Sequence, residues 1–276
     1  MKLYFLPKGI KNALSKLKTD ELQEIRLRLN FPIKIKYKFE DLYLTSGGCS
    51  KFSSEGIVAK RKTIDEIISN LTENSLYAHN DRLKNGYLIS GFGERIGVSG
   101  ECVFADKIVT IKNITSVLIR IPKNIPGCSV KIREKMNTPE NVLIISPPGF
   151  GKTTILKDLI QSYSYKNISV IDERGELFSE NTSADYIRFS DKLSGLKIAL
   201  RSLSPDIIAV DELFGEEDYK TCEKAIRGGV KIFATIHAGS EKEIPDILKK
   251  IFDLFIVLKS EKKAGEIDYI YDRRNL

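Results

Sequence analysis

The sequence predicts an α/β domain on a mostly parallel sheet, preceded by a smaller α+β domain, and three observations carry that expectation. From residue 142 onward, short apolar runs at 142–145, 168–171, 207–210, 231–236 and 254–258 alternate with helical patterns, as in a parallel sheet covered by helices. The first of these runs breaks into a glycine-bearing turn that leads straight into a helix. The first 120 residues have a different texture, with short strand candidates separated by turn signals. These features divide the chain into a first domain at 1–121, a connecting segment at 122–140 punctuated by Pro122 and Pro126, and a second domain at 141–276.

In chain order, helical spacing is read at 10–29 and at 64–77, the latter with Ile64, Ile67, Ile68 and Leu71 on one stripe. Strand candidates lie at 33–37, 87–90, 95–104, 108–111 and 116–121. Asn85-Gly86 and Gly91-Phe92-Gly93 supply turns between several of them. Beyond residue 154, Ile155, Leu156, Leu159, Ile160 and Tyr163 fall on one helical face. Residues 267–271 are expected to add an edge strand.

At 276 residues and 42% hydrophobic content the chain can bury two cores. Its net charge of +7 comes from lysines spread along the whole length with acidic residues interleaved, the pattern of a solvated surface rather than a nucleic-acid groove. Cys49, Cys102, Cys128 and Cys222 lie far apart, without metal-ligand spacing, so a reduced, cytoplasmic setting is expected and a structural zinc site is not. The apolar stretch at the start is too short for a signal peptide. No run approaches the ~18 apolar residues of a membrane span, and any attachment to a membrane is expected to be peripheral.

The chemistry concentrates in residues 142–154, Val-Leu-Ile-Ile-Ser-Pro-Pro-Gly-Phe-Gly-Lys-Thr-Thr. A buried strand, a turn of small residues and a helix N-terminus together form a cradle in which backbone N–H groups converge on an anion. Pro148, Gly149, Phe150, Gly151, Lys152, Thr153 and Thr154 are the expected nucleotide-binding set. Lys152 would meet the β- and γ-phosphates of ATP, and the Thr153 hydroxyl would hold Mg²⁺. Ser146 stands where a first glycine is usual, which requires a φ angle that is not positive.

Such a cradle needs a second carboxylate strand, and residues 207–212, Ile-Ile-Ala-Val-Asp-Glu, have that form. Asp211 would complete the metal shell with Thr153, and Glu212 would polarise the attacking water. Two further polar clusters end predicted strands, where open α/β sheets present ligands. They are Asp172-Glu173-Arg174-Gly175-Glu176 and Thr235-Ile236-His237-Ala238-Gly239.

Taken together, Ser-Pro-Pro-Gly-Phe-Gly-Lys-Thr-Thr, Val-Ile-Asp-Glu-Arg-Gly-Glu, Ala-Leu-Arg-Ser-Leu-Ser-Pro-Asp-Ile-Ile-Ala-Val-Asp-Glu and Ala-Thr-Ile-His-Ala-Gly resemble the stage III sporulation protein AA family. In the first half, residues 22–28, 75–78, 91–100, 118–121 and 126–128 resemble that family's first domain. The family is similar in turn to the ATPases of type II and type IV secretion. The resemblance implies a RecA-like P-loop ATPase, working as a homo-oligomeric ring for which a hexamer is one size. It also implies a place at the cytoplasmic face of a membrane, on the mother-cell side, where ATP hydrolysis energises a channel component during endospore formation. By the same resemblance Glu173 and Glu176 fall in an acidic box, and Thr235 and His237 in a histidine box. Arg201 precedes the carboxylate strand, and Arg95 and Arg120 match first-domain arginines that reach toward nucleotide. The expected catalytic set is therefore Lys152, Glu173, Glu212 and His237, with the nucleotide in a cleft between the two domains.

Two other classes compete. A P-loop protein acting on single-stranded nucleic acid fits the positive charge, but Lys and Arg do not gather with aromatics on any one predicted face. A small-molecule kinase would need an arginine-rich lid after the cradle, and none is evident.

Overall fold

The computed structural model describes residues 3–91, 94–121, 125–259 and 265–275. The chain divides into two units, Met1–Lys123 and Asn124–Leu276.

In the first unit, α1 (Lys8–Leu14) leads to β1 (Leu22–Arg28), β2 (Lys34–Tyr37), β3 (Glu40–Thr45) and β4 (Gly48–Ser50). Then come α2 (Arg61–Leu71), α3 (Asn80–Leu83), β5 (Tyr87–Ile89), β6 (Arg95–Phe104) and β7 (Ile108–Arg120). The strands pair antiparallel in the order β4-β3-β2-β1-β7-β6-β5. Ile64, Ile67, Ile68 and Leu71 of α2 share one core with Ile25, Leu27, Ile35, Leu44, Val117 and Ile119 of the sheet.

Three sequence expectations change here. The helical pattern at 10–29 is helix only through Leu14, and Leu22–Arg28 is a strand. A bulge between Leu22 and Glu24 adds a residue to the strand, so buried positions fall at Leu22, Ile25 and Leu27, and the first interval mimics a helical one. The helix expected over 64–77 ends at Leu71, followed closely by Glu73 and Asn74 at φ 49° and 64°. The strands expected at 108–111 and 116–121 are one continuous β7, which passes through Asn113 at φ 46°.

Register also places basic and aromatic residues together on the outer face of this sheet. Arg26 lies opposite Lys34, Lys34 opposite Tyr43, and the Arg95 guanidinium sits 4.0 Å from the centre of the Tyr87 ring. That corrects the expectation that no face gathers them, because cross-strand register is invisible to a strand read alone.

The second unit contains α4 (Val130–Arg133), β8 (Val142–Ile145), α5 (Lys152–Ser162), β9 (Ile168–Asp172), β10 (Asp185–Arg188), α6 (Lys192–Ile198) and β11 (Ile207–Val210). It continues with α7 (Glu216–Arg227), β12 (Lys231–Ile236), α8 (Asp246–Ile251), β13 (Leu254–Leu258) and β14 (Ile267–Asp272). The sheet order is β10-β9-β11-β12-β8-β13-β14, parallel at every pairing except β13 with β14. Alternate residues of each central strand enter different cores. Val142 and Ile144 pack with Ile155, Leu156, Leu159 and Ile160 of α5, whereas Leu143 and Ile145 pack with Leu196 of α6, Cys222 of α7 and Leu248 of α8. Helices on both faces explain why these strands read as unbroken apolar runs. Within 122–140, α4 and the following turn bury Ile132 and Met136 in the first of these two cores.

Candidate functional site

Parallel pairing brings the carboxyl ends of β8, β9, β11 and β12 to one edge of the sheet, and each is followed by one of the polar clusters. Pairing of Ile145 with Ile236 and of Val210 with Ala234 and Ile171 sets Ser146, Asp211, Asp172 and Thr235 near one level.

The loop after β8 reverses through Gly149 and Gly151, at φ 84° and 91°, while Ser146 is not in the left-handed region. Serine therefore meets the conformational requirement at that position. A side chain at Gly149 would touch nothing within 4 Å, so this glycine answers a backbone need rather than a packing one. Helix α5 starts directly after Gly151 without a side-chain cap, leaving first-turn N–H groups directed at the loop.

Lys152 lies almost buried at the head of α5. Its ammonium donates to Ser146 O at 2.7 Å, to Pro147 O at 2.9 Å and to His237 Nδ1 at 3.0 Å. Burial pushes its pKa below the ordinary lysine value, with Asp211 and Glu212 acting in the opposite sense. The ammonium at Nδ1 leaves the ring proton for Nε2, which stands 3.2 Å from Glu212 Oε1. The other oxygen, Oε2, pairs with Arg174 Nη2 at 2.7 Å. Lys152, His237, Glu212 and Arg174 thus form a continuous polar chain from the cradle to the end of β9.

A second chain crosses the first. Thr153 Oγ1 donates to Asp211 Oδ2 at 2.9 Å, and Thr235 Oγ1 donates to Asp211 Oδ1 at 2.6 Å. The Glu212 amide donates back to Thr235 Oγ1 at 2.7 Å, and the Leu213 amide to Thr235 O at 2.8 Å. Thr235 therefore pins the Asp211 carboxylate and the Glu212 backbone from the neighbouring strand. Glu212 itself sits at φ 58°, a left-handed conformation costly for a non-glycine residue and held here by those bonds.

The cluster after β9 divides. Asp172 is buried and accepts from the Leu177 and Phe178 amides at 3.1 and 3.0 Å; burial raises its pKa while these amides oppose the shift. Glu176 also has a raised pKa, first from burial and then from the Asp211 charge. Glu173 points elsewhere, pairing at 3.4 Å with Lys192, which lies 3.7 Å from Asp218. It does not join the chain that holds Glu212.

Of the other expected residues, Pro148, Phe150 and Thr154 belong to the loop and the first turn of α5, and Phe150 O accepts from the Gly265 amide at 2.8 Å. Arg201 lies exposed in a wide helical turn, Ala199–Leu203, after α6. Arg95 and Arg120 are exposed on β6 and β7 of the first unit. The expected set omitted Arg174 and Thr235. Their signal was position, since each sits in a polar cluster directly after or at the end of a buried strand.

Among the described residues, no group of three or more His, Cys, Asp or Glu side chains gathers as a metal centre. The donor set fits a magnesium ion that takes a hydroxyl from Thr153 and a carboxylate from Asp211, with phosphate oxygens and water completing the shell.

The second unit has an α/β RecA-like fold, and the chain is similar in fold to solved ATPases. The pilus retraction motor PilT with bound ADP superposes with a TM-score of 0.64 at 17% identity, over 95% of this chain and 80% of that one. The ATPase DotB of Legionella pneumophila gives 0.55 at 16% identity, over 91% and 77%. The family model Sporulation stage III, protein AA, matches residues 4–276, and the chain belongs to that family. It is 29% identical over 300 residues to Stage III sporulation protein AA of Bacillus subtilis (strain 168), covering 97% of this chain and 93% of that protein.

Proposed function

We propose that this protein hydrolyses Mg·ATP and works in endospore formation by energising a transenvelope channel. The observation that carries the reading is the gathering of Lys152, Thr153, Asp211, Glu212 and His237 at one sheet edge beside an uncapped helix N-terminus. Family membership and the resemblance to ADP-bound PilT in fold support it.

In this reading the loop 148–154 holds the phosphates and Lys152 leaves its carbonyl partners for them. Glu212 accepts a proton from the attacking water, and His237 reports on the γ-phosphate through its links to both residues. Magnesium held by Thr153 and Asp211 would compensate phosphate charge. Arg95, Arg120 and Arg201 are assigned to nucleotide, and Glu173 to the acidic box, with Lys192 as its present partner. The two units, Met1–Lys123 and Asn124–Leu276, act as domains, with α4 and the turn after it packed into the second rather than serving as a free connector over 122–140. The protein assembles as a ring, a hexamer being the size tested first, and docks from the cytoplasmic side on an inner-membrane sporulation protein. Among the described residues no helix is long and apolar enough to cross a membrane, so that docking is peripheral in this reading.

The test is steady-state hydrolysis by purified protein. Lys152→Ala should abolish turnover and Glu212→Gln should retain ATP without cleaving it. Normal hydrolysis by Glu212→Gln defeats the assignment. Light scattering with and without Mg·ATP tests the ring, and a monomer under every condition counts against it.

Nucleic-acid binding is the second reading, favoured by the row Arg26, Lys34 and Tyr43 on the first sheet. Charge compensation weakens it, because Arg26 pairs with Glu24 and Lys34 with Asp41, each at 2.8 Å. A labelled oligonucleotide whose affinity falls steeply with salt would favour it.

A further inference from the structure

We infer that Arg174 is a positioning residue that masks Glu212 at rest and releases it when a γ-phosphate arrives, an inference that rests on the ATP-hydrolase reading above. A carboxylate that accepts a proton from water needs a free oxygen facing that water. Glu212 has neither free, since Oε1 faces His237 Nε2 at 3.2 Å and Oε2 faces Arg174 Nη2 at 2.7 Å.

The two contacts differ in kind. His237 is tied to the cradle through Lys152, so its contact responds directly to what the loop holds. Arg174 is not part of the cradle. It extends from the turn after β9 with its side chain 60% exposed, while the Glu212 side chain is 26% exposed. An ion pair this open to water is weak and easily exchanged. A guanidinium also forms stronger, two-pronged bonds with a phosphate than with a single carboxylate oxygen. A terminal phosphate entering beside Lys152 therefore competes for Arg174, and Oε2 is free only in the fraction of ATP-bound molecules where the phosphate wins, so the remaining masking holds kcat below its limit.

The left-handed backbone of Glu212 sharpens the device. Thr235 fixes the Glu212 and Leu213 amides, so the carboxylate cannot leave Arg174 by moving its own backbone. Arg174, the more exposed of the two, has the room to move, by a swing of its own side chain that leaves the turn unchanged. Glu176, two residues on, is half-buried, and the Arg174 charge partly offsets the rise of its pKa.

The experiment has two arms on the full chain. In the kinetic arm, Arg174→Gln should raise kcat for Mg·ATP about two- to fivefold, equivalent to roughly 0.4–1 kcal/mol, with KM changed less than about twofold. Arg174→Lys, which restores a cation, should bring kcat back toward the starting value. A purely structural role for Arg174 predicts the opposite sign, since disordering the turn lowers kcat, and a fall or no change overturns the inference. The spectroscopic arm needs no turnover. The Arg174 side-chain ¹⁵Nε resonance should move on addition of Mg·ADP·beryllium fluoride toward its position in nucleotide-free Glu212→Gln, and should stay in place with Mg·ADP alone. If the Gly149 and Gly151 amides shift with the analogue but Arg174 does not, masking is wrong while nucleotide binding stands. If neither shifts, the ATP reading fails and masking falls with it.

Discussion

Thr153 and Asp211 are joined by a 2.9 Å hydrogen bond although 58 residues separate them. One begins the helix that follows the cradle and the other ends β11, two strands away in the sheet. Their meeting is what turns a phosphate-binding turn into a candidate metal site. Thr153→Ala should therefore reduce the magnesium-dependent part of nucleotide affinity by on the order of 10- to 100-fold. Binding measured with EDTA should change little. Calorimetry with and without magnesium checks this, and an equal loss in both conditions would assign Thr153 to the phosphates instead.

Lys152 carries a pH prediction. Burial holds its free-state pKa below the ordinary lysine value, and a bound phosphate favours the charged form. Binding must then take up a proton once the pH exceeds that lowered value, so affinity falls as pH rises. The fall should begin below the usual lysine range near ~10.4. Lys152→Arg, which stays charged, should bind with no such alkaline limb. Nucleotide titrations from neutral to alkaline pH give the comparison.

The cradle, the carboxylate strand and both polar clusters were legible because each is contiguous in the chain and follows a buried apolar run. What joins them was not. Thr235 reaches Asp211 because β12 lies beside β11, and Arg174 reaches Glu212 because β9 lies on the other side of β11. Strand order is a long-range property that spacing within a strand does not encode. The first unit was harder for a related reason. At β1 a bulge altered the local period, so the spacing of Leu22 and Ile25 suggested a helix where the pairing with β2 and β7 makes a strand. Glu173 shows the converse, since a motif position assigns it to the acidic box while its present partner is Lys192, a contact that no spacing encodes.

Glu176 provides a stability prediction whose sign is set by burial. Its folded-state pKa is raised above the unfolded value, so its contribution is present below the unfolded pKa and lost as pH rises through the folded one. At neutral pH the wild type holds a partly buried carboxylate near the Asp211 charge. Glu176→Gln removes that cost and should raise the midpoint of chemical unfolding at pH 7. The advantage should shrink on acidification and vanish below the ordinary glutamate value near ~4.3. A midpoint difference independent of pH would locate the effect in packing rather than charge.

Asp158 tests how the head of the second unit is secured. Its carboxylate, 4% exposed on α5, accepts from the Gly127 amide at 2.8 Å, the Ser129 amide at 2.8 Å and the Ser129 hydroxyl at 2.6 Å. Gly127 is exposed and can turn to water, whereas Ser129 is fully buried and has no such recourse. Asp158→Ala should therefore cost about 1–3 kcal/mol, the price of a buried donor left without an acceptor. Asp158→Asn keeps one carbonyl oxygen and should lose less. For a unit of this size each kilocalorie corresponds to roughly 2–4 °C in Tm. Ser129→Ala in the Asp158→Ala background separates the hydroxyl from the amide. If the hydroxyl dominates, the second substitution recovers part of the loss by removing the stranded donor, and if the amide dominates, it recovers nothing.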